Sequence, residues 1–195
     1  QPSDAAAYAV VITNPAGSST SNAAILSVTI PNPGRLINLS VLTDIATAGD
    51  DFTLGYVVGG NSTSGAKPLV IRAAGPSLGA FGVPGTLDDP KLELFNNVTG
   101  AKITENDNWG GTPALSGAFA AVGAFAYAAA DSKDAAIFTP AIAAGGYSIK
   151  VTGNGTVGTV IAELYDATPG SAFTATTPRL INVSVLKQIG DGFTV

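Results

Sequence analysis

Short apolar runs rich in β-branched and aromatic residues recur along the chain at 35–42, 52–58, 68–73, 91–96, 135–139, 146–152 and 157–165. Clusters of turn formers separate them, such as Gly59-Gly-Asn-Ser-Thr-Ser-Gly65 and Gly153-Asn-Gly155. Runs of this length bounded by Gly, Asn and Ser read as strands. Many strands with no alternating helices predict an all-β, antiparallel, jelly-roll-like sandwich. The one helix candidate lies within 114–130, and the run Gly110–Ala130, built from Ala, Gly and Phe, is too dilute in hydrophobicity for a membrane span. Asn154-Gly155, between the strand-like segments 147–152 and 157–164, reads as a hairpin turn.

Residues 4–30 read as two strands, Tyr8–Thr13 and Ala24–Ile30, around the turn Asn14-Pro-Ala-Gly17. The spacing Asp4-x-Ala6-x-Tyr8-x-Val10 followed by Asn14-x-x-Gly17 resembles the last hairpin of a bacterial immunoglobulin-like domain. That resemblance implies that Tyr8 is the corner tyrosine and that Val10 stands where many members carry a cysteine. Val10, Ile12, Ile25 and Val28 are the apolar positions of this segment. A lone hairpin is marginal in water, so its remaining sheet is expected from elsewhere.

The C-terminus repeats the start of the longer module. Arg179-Leu-Ile-Asn-Val-Ser-Val-Leu186 matches Arg35-Leu-Ile-Asn-Leu-Ser-Val-Leu42 with one conservative change, and Gly192-Phe-Thr-Val195 loosely echoes Asp51-Phe-Thr-Leu54. A module-sized period marks an array or a polymer. This reading divides the chain into an incomplete immunoglobulin-like segment (1–30), a linker (31–34), a sandwich module (35–167), a second linker (168–178) and the first strand or strands of a repeated module (179–195). Taken alone, the last segment is an orphan strand with no sheet of its own, a hazard in isolation and a joint in an assembly. Alternation puts Leu180, Asn182, Ser184 and Leu186 on one face and the all-apolar set Ile181, Val183 and Val185 on the other, which is the expected buried face. Phe193 belongs to the same expected inter-subunit segment.

The module resembles a tandem repeat of large secreted and surface proteins of Verrucomicrobia-type bacteria. The resemblance is carried by Arg35–Ser40, Val70-Ile-Arg-Ala-Ala-Gly-Pro-Ser-Leu78, Leu92–Phe95, Asn106-Asp-Asn-Trp109, Asp134-Ala-Ala136 and Ala162-Glu-Leu-Tyr-Asp166. Its last part is similar to the jelly-roll-like C-terminal domains appended to secreted peptidases. An extracellular, non-catalytic β-module is what the resemblance implies.

Charge and composition narrow the chemistry. Only 12% of residues are charged while 46% are apolar, so the surface must be largely Ser, Thr, Asn, Gly and Ala. A net charge of −5, with nine unclustered Lys and Arg, disfavours nucleic acid and anionic membrane as partners. The absence of Cys excludes disulfides and thiolate chemistry, and the absence of His removes the commonest general base and metal ligand. The absence of Met is read as a removed leader or a slice of a longer chain.

Gly75-Pro-Ser77-Leu-Gly79 has the letters of a hydrolase nucleophile elbow but lacks an activating histidine and a following helix, so a tight turn is expected. Gly153-Asn-Gly-Thr-Val-Gly158 spells a dinucleotide fingerprint followed by strand-like residues instead of a helix. Ser184-Val-Leu-Lys187 fits a Ser-x-x-Lys pair, but in a strand an odd step puts the two on opposite faces. Glu105, Asn106, Asp107 and Asn108 are the candidate Ca²⁺ ligands, with Asp88, Asp89, Asp131 and Asp134 as neighbouring carboxylates; Asx-turns without metal are the competing reading. Trp109 reads as a plug at a core edge or as a sugar-stacking platform. Of five Asn-x-Ser/Thr sequons, Asn61 in its Gly/Ser loop is the best glycosylation candidate.

The leading expectation is therefore an extracellular structural protein, not an enzyme, and a subunit of a homopolymeric fibre or surface array. Its copies would be joined by β-strand complementation. The alternative is a fragment of a large tandem-repeat surface adhesin, or a non-catalytic accessory module of a secreted hydrolase that binds Ca²⁺ or carbohydrate.

Overall fold

In the computed structural model the described residues are 4–28 and 34–187. Phe193 and the echo at 192–195 lie outside them. The chain divides into two compact units, Gln1–Pro33 and Gly34–Val195.

The first unit is an antiparallel hairpin in two paired stretches. β1 (Ala6–Tyr8) pairs with β4 (Ala24–Leu26), and β2 (Val11–Asn14) pairs with β3 (Gly17–Thr20). The Asn14 side chain accepts a hydrogen bond from Ala16 N at 2.8 Å, an Asx-turn that reverses the chain. The Tyr8 hydroxyl donates to Asp4 O at 2.8 Å, the backward bond of a tyrosine corner. Tyr8, Val10, Ile12 and Ile25 are exposed, and Val28 is half-buried. Two strands have no second layer against which to bury these side chains.

The second unit is an all-β sandwich. Its strands are β5 (Asn38–Ile45), β6 (Asp51–Gly59), β7 (Ala66–Ala74), β8 (Lys91–Asn96), β9 (Lys102–Asn106), β10 (Ala135–Ala143), β11 (Gly145–Thr152), β12 (Gly158–Asp166) and β13 (Arg179–Lys187). One sheet has the order β10-β7-β12-β5, the other β13-β6-β11-β8-β9, and every ladder in them is antiparallel. Strands equally distant from the β8–β9 turn are neighbours: β8 with β9, β7 with β10, β6 with β11 and β5 with β12. This is a long hairpin rolled into two sheets, the jelly-roll arrangement.

Strict alternation in β6 sends Phe52, Leu54, Tyr56 and Val58 into the space between the sheets, where they meet Leu69, Ile71, Leu92, Leu94, Ile149, Val151, Val160 and Leu164. β7 departs from alternation because its sheet is covered on both faces. Beyond it lies a second cluster of Val70, Ala74, Leu78, Trp109, Phe119, Tyr127, Ala136 and Tyr165. That cluster includes α1 (Pro113–Val122), which begins with Pro113 behind the Thr112 cap and stops at Gly123 in the left-handed conformation, φ 73°.

Three expectations need correction. Asn154 and Gly155 do have positive φ (48° and 88°), but β11 and β12 lie in different sheets, so the turn carries the chain across the sandwich and closes no hairpin. β9 was not foreseen, because Lys-Ile-Thr-Glu-Asn is an edge strand with one large apolar residue. Finally, the segment 179–187 has a sheet: it pairs with β6 of its own chain from Arg179↔Gly59 to Lys187↔Phe52.

Candidate functional site

The two copies of the repeated sequence occupy the edges of the two sheets. β5 pairs with β12, and β13 pairs with β6, so each copy keeps one edge outside its sheet's ladder. Both put equivalent residues on the same core: Leu39 and Val41 from the first copy, Val183 from the second. The registers Leu39↔Leu164 and Val41↔Ala162, and Val183↔Tyr56 and Val185↔Leu54, give the inward faces.

Of the face expected to be buried, Ile181, Val183 and Val185, only Val183 turns inward enough to be half-buried, and Leu180 from the other face is buried instead. A register shift between Leu180 and Asn182 makes Ile181 an extra residue, 55% exposed, and turns Leu180 inward to 7% exposure. Val183 is half-buried, Val185 remains 45% exposed and Leu186 is 74% exposed. At the end of the strand Lys187 Nζ donates to Thr43 Oγ1 and to Asp44 O, and Thr43 is its counterpart in the first copy. The twins therefore lie level with each other. At Gly55 on β6 the Ser184 hydroxyl lies 2.8 Å from where a Cβ would stand, so a larger residue there requires Ser184 to change rotamer.

The other two edges carry devices that discourage further pairing. β9 is studded with ion pairs, Lys102 to Glu93 at 3.0 Å and to Glu105 at 2.5 Å, and Lys91 to Glu105 at 3.2 Å. β10 contains Pro140 within a register break between Thr139 and Ile142. Neither β5 nor β13 carries a proline, and they expose Leu42 and Leu186; β13 has its own bulge at Ile181 and ends on Lys187.

Buried charges lock the ends of these strands. Asp166, at the end of β12, pairs with Lys67 Nζ at 2.7 Å and Arg35 NH1 at 3.4 Å, and accepts from Thr168 N at 2.9 Å. Lys67 also donates to Thr168 Oγ1 at 3.0 Å. Burial lowers the Lys67 pKa, and its hydrogen bond and charge attraction to Asp166 oppose that shift. Arg35 lies over the Phe173 ring at 4.6 Å, and Arg179, its repeat counterpart, donates to Ala175 O at 2.8 Å. The first residue of each copy thus grips the linker 168–178.

A second buried cation holds the far face. Arg72 sits against Phe119, Phe125 and Tyr127, at 4.2–4.3 Å from the ring centroids, with Glu163 at 3.3 Å. The contact to Glu163 is an ion pair outside hydrogen-bond geometry, so rings and charge carry the site. The Tyr165 hydroxyl donates to Glu163 at 2.8 Å, and burial pushes the Tyr127 and Tyr165 hydroxyls well above the usual tyrosine range.

The motifs with catalytic letters resolve into structure. Ser77 is 1% exposed. Its hydroxyl donates to Asp134 Oδ2 at 2.5 Å and accepts from Ala128 N at 2.8 Å. Asp134 Oδ1 in turn accepts from Gly75 N and Ser77 N. Asp134 is the anchor of a short 3₁₀ turn, a role that spacing alone did not reveal. Gly75 is required there, since a Cβ would come 2.0 Å from Leu87 O.

Side-chain oxygens of Glu105, Asn106 and Asp107 each have a different partner. Glu105 is held by Lys102 and Lys91, whose hydrogen bonds pull its pKa to about 2. Asn106 Oδ1 accepts from Ala136 N at 2.8 Å, and its amide donates to Asn108 O at 3.0 Å. Asp107 faces the Asn154 amide at 3.4 Å, an amide shared with Asp89 at 3.3 Å. Among the described residues no group of three or more acidic side chains is disposed to hold a metal. Trp109 is 7% exposed, packed on Phe119 and Tyr127 with Nε1 donating to Ala129 O, which corrects the sugar-platform reading. Asn61 is exposed in the loop between β6 and β7.

No family model, characterised protein or solved structure matches this chain. Among the described residues no helix is long and apolar enough to cross a membrane.

Proposed function

We propose that the protein is a non-catalytic structural module of an extracellular fibre or surface array, in which the repeated strand is the joint between copies. The observation that carries this reading is the placement of both copies of Arg-Leu-Ile-Asn-(Leu/Val)-Ser-Val-Leu on sheet edges, level with each other on one core. Natural sheets blunt such edges, as β9 and β10 do; an edge left open with exposed Leu42 and Leu186 fits a pairing surface. The buried, fully engaged Ser77 and the absence of histidine favour a mechanical over a chemical role.

The cis seat of β13 favours a second reading, a repeat unit of a longer surface adhesin whose modules are threaded in one chain. Ca²⁺ or carbohydrate binding by a hydrolase accessory module has less support, since Glu105 and Asn106 are engaged by protein partners and Trp109 is buried. Negative-stain microscopy of the purified chain tests the first reading. Filaments are expected, and they should be lost on replacing Leu42 and Leu186 together with lysine. Dispersed single particles at every concentration would contradict it.

A further inference from the structure

The two repeated strands sit in two different seats that pair alike over 39–43 and 183–187, while the β6 seat alone has a bulge, at Ile181, with Leu180 buried before it. In the β12 seat Leu39, Val41 and Thr43 face Leu164, Ala162 and Val160; in the β6 seat Val183, Val185 and Lys187 face Tyr56, Leu54 and Phe52. Each set alternates in the same way, and the inward residues differ only at Leu39/Val183 and Thr43/Lys187. Both strands run antiparallel to their neighbours, so either sequence meets either seat in the same direction. The seats are also adjacent, because Lys187 bonds to Thr43 and Asp44. The segment 46–50 that joins β5 to β6 is exposed, with Gly49 at φ 93°.

We infer that the joint is a strand exchange: the segment 179–187 of one copy fills the seat beside β12 of a second copy, whose own 38–45 swings about residues 46–50 onto its β6. This rests on the reading that copies join through the repeated strand, and it names the seat and the occupant. The β12 pairings of residues 38–43 are refilled by 182–187, and each β6 edge is covered by the chain's own first copy. Most pairings are thus kept, at the cost of the Arg35–Asp166 and Lys187–Thr43 contacts, and a head-to-tail exchange does not close, so it propagates. Within one chain the same swap is obstructed. Segments 34–37 and 167–178 leave the same end of the sandwich, bound together through Arg35, Asp166 and Phe173, and would have to pass each other.

The chain has no cysteine, so introduced thiols report directly. Ile161 lies opposite Leu42 across the β12–β5 ladder, and Leu186 is the counterpart of Leu42. In an unexchanged copy Leu186 lies opposite Thr53 in the other sheet. An Ile161→Cys chain is mixed with a Leu186→Cys chain and oxidised, and cross-linked dimer is compared with a control mixture of Ile161→Cys and Val98→Cys, Val98 being 84% exposed in the β8–β9 turn. The exchange predicts a heterodisulfide at least about tenfold above that control, because pairing raises the local thiol concentration far above the bulk value. Heterodisulfide at the control level overturns it.

Should the Ile161→Cys chain not fold, the Thr53→Cys/Leu42→Cys double variant reads the other half of the movement. Exchange brings positions 42 and 53 together within one chain, giving an intramolecular disulfide; its absence in an associating sample overturns the inference. Association without either cross-link sinks the exchange while leaving the broader reading standing. A chain that does not associate removes both.

Discussion

Asp166 shows how much one residue carries. It neutralises a fully buried Lys67, takes Arg35 from the first repeat strand and caps Thr168 at the start of the linker. Removing it leaves a buried ammonium without a counter-ion, so Asp166→Ala should cost about 3–5 kcal/mol in denaturant unfolding. Lys67→Met combined with Asp166→Leu should recover most of that loss, because the pair is removed together with its desolvation cost. Glu105 gives a pH signature. Its folded pKa, about 2, lies below the ordinary 4.5, so its contribution is present above the unfolded value and fades as pH falls through about 2. Glu105→Gln should flatten that acid limb slightly, and salt should weaken the same effect in the parent because the group is exposed. Fluorescence of the single tryptophan against pH reads both.

At the scale of elements, the sandwich strands were legible because each buried run carries its own alternation or its own continuous apolar stretch. β6 is the clear case, with Phe52, Leu54, Tyr56 and Val58 all pointing one way. What was hidden had physical reasons. β9 is an edge held by Lys102, Glu93 and Glu105, and charge pairing leaves no hydrophobic trace. The bulge at Ile181 moved Leu180 inward, and a bulge has no signature in a string of apolar letters. Asp134 serves backbone amides at positions 75 and 77, some sixty residues away, which no local motif records. In the candidate cation loop, oxygen-rich side chains adjacent in sequence have separate partners: Glu105 on Lys102, Asn106 on Ala136 N and Asp107 on Asn154. Two element-scale outcomes follow. Gly75→Ala drives a Cβ into the Leu87 carbonyl and should destabilise the chain by about 3 kcal/mol, measurable by thermal unfolding. Leu180→Ala should cost about 2 kcal/mol and make 179–187 more sensitive to limited proteolysis, since Leu180 is the buried anchor of β13.

For the whole molecule, the repeated strand stands at one edge of each sheet, in two seats that pair alike over part of their length. The sequence period alone leaves the second copy an orphan; it pairs with β6 of its own chain, which is why the proposed joint is an exchange and not the filling of a missing strand. In the N-terminal hairpin Val10, Ile12 and Ile25 are exposed, and a two-stranded hairpin by itself is marginal in water. Sedimentation velocity over a rising concentration series of the chain decides whether copies join through the repeated strand. Species of increasing mass are predicted, shifting back to monomer when Leu42 and Leu186 are both replaced by lysine. A single monomeric boundary for the parent at every concentration would contradict the account.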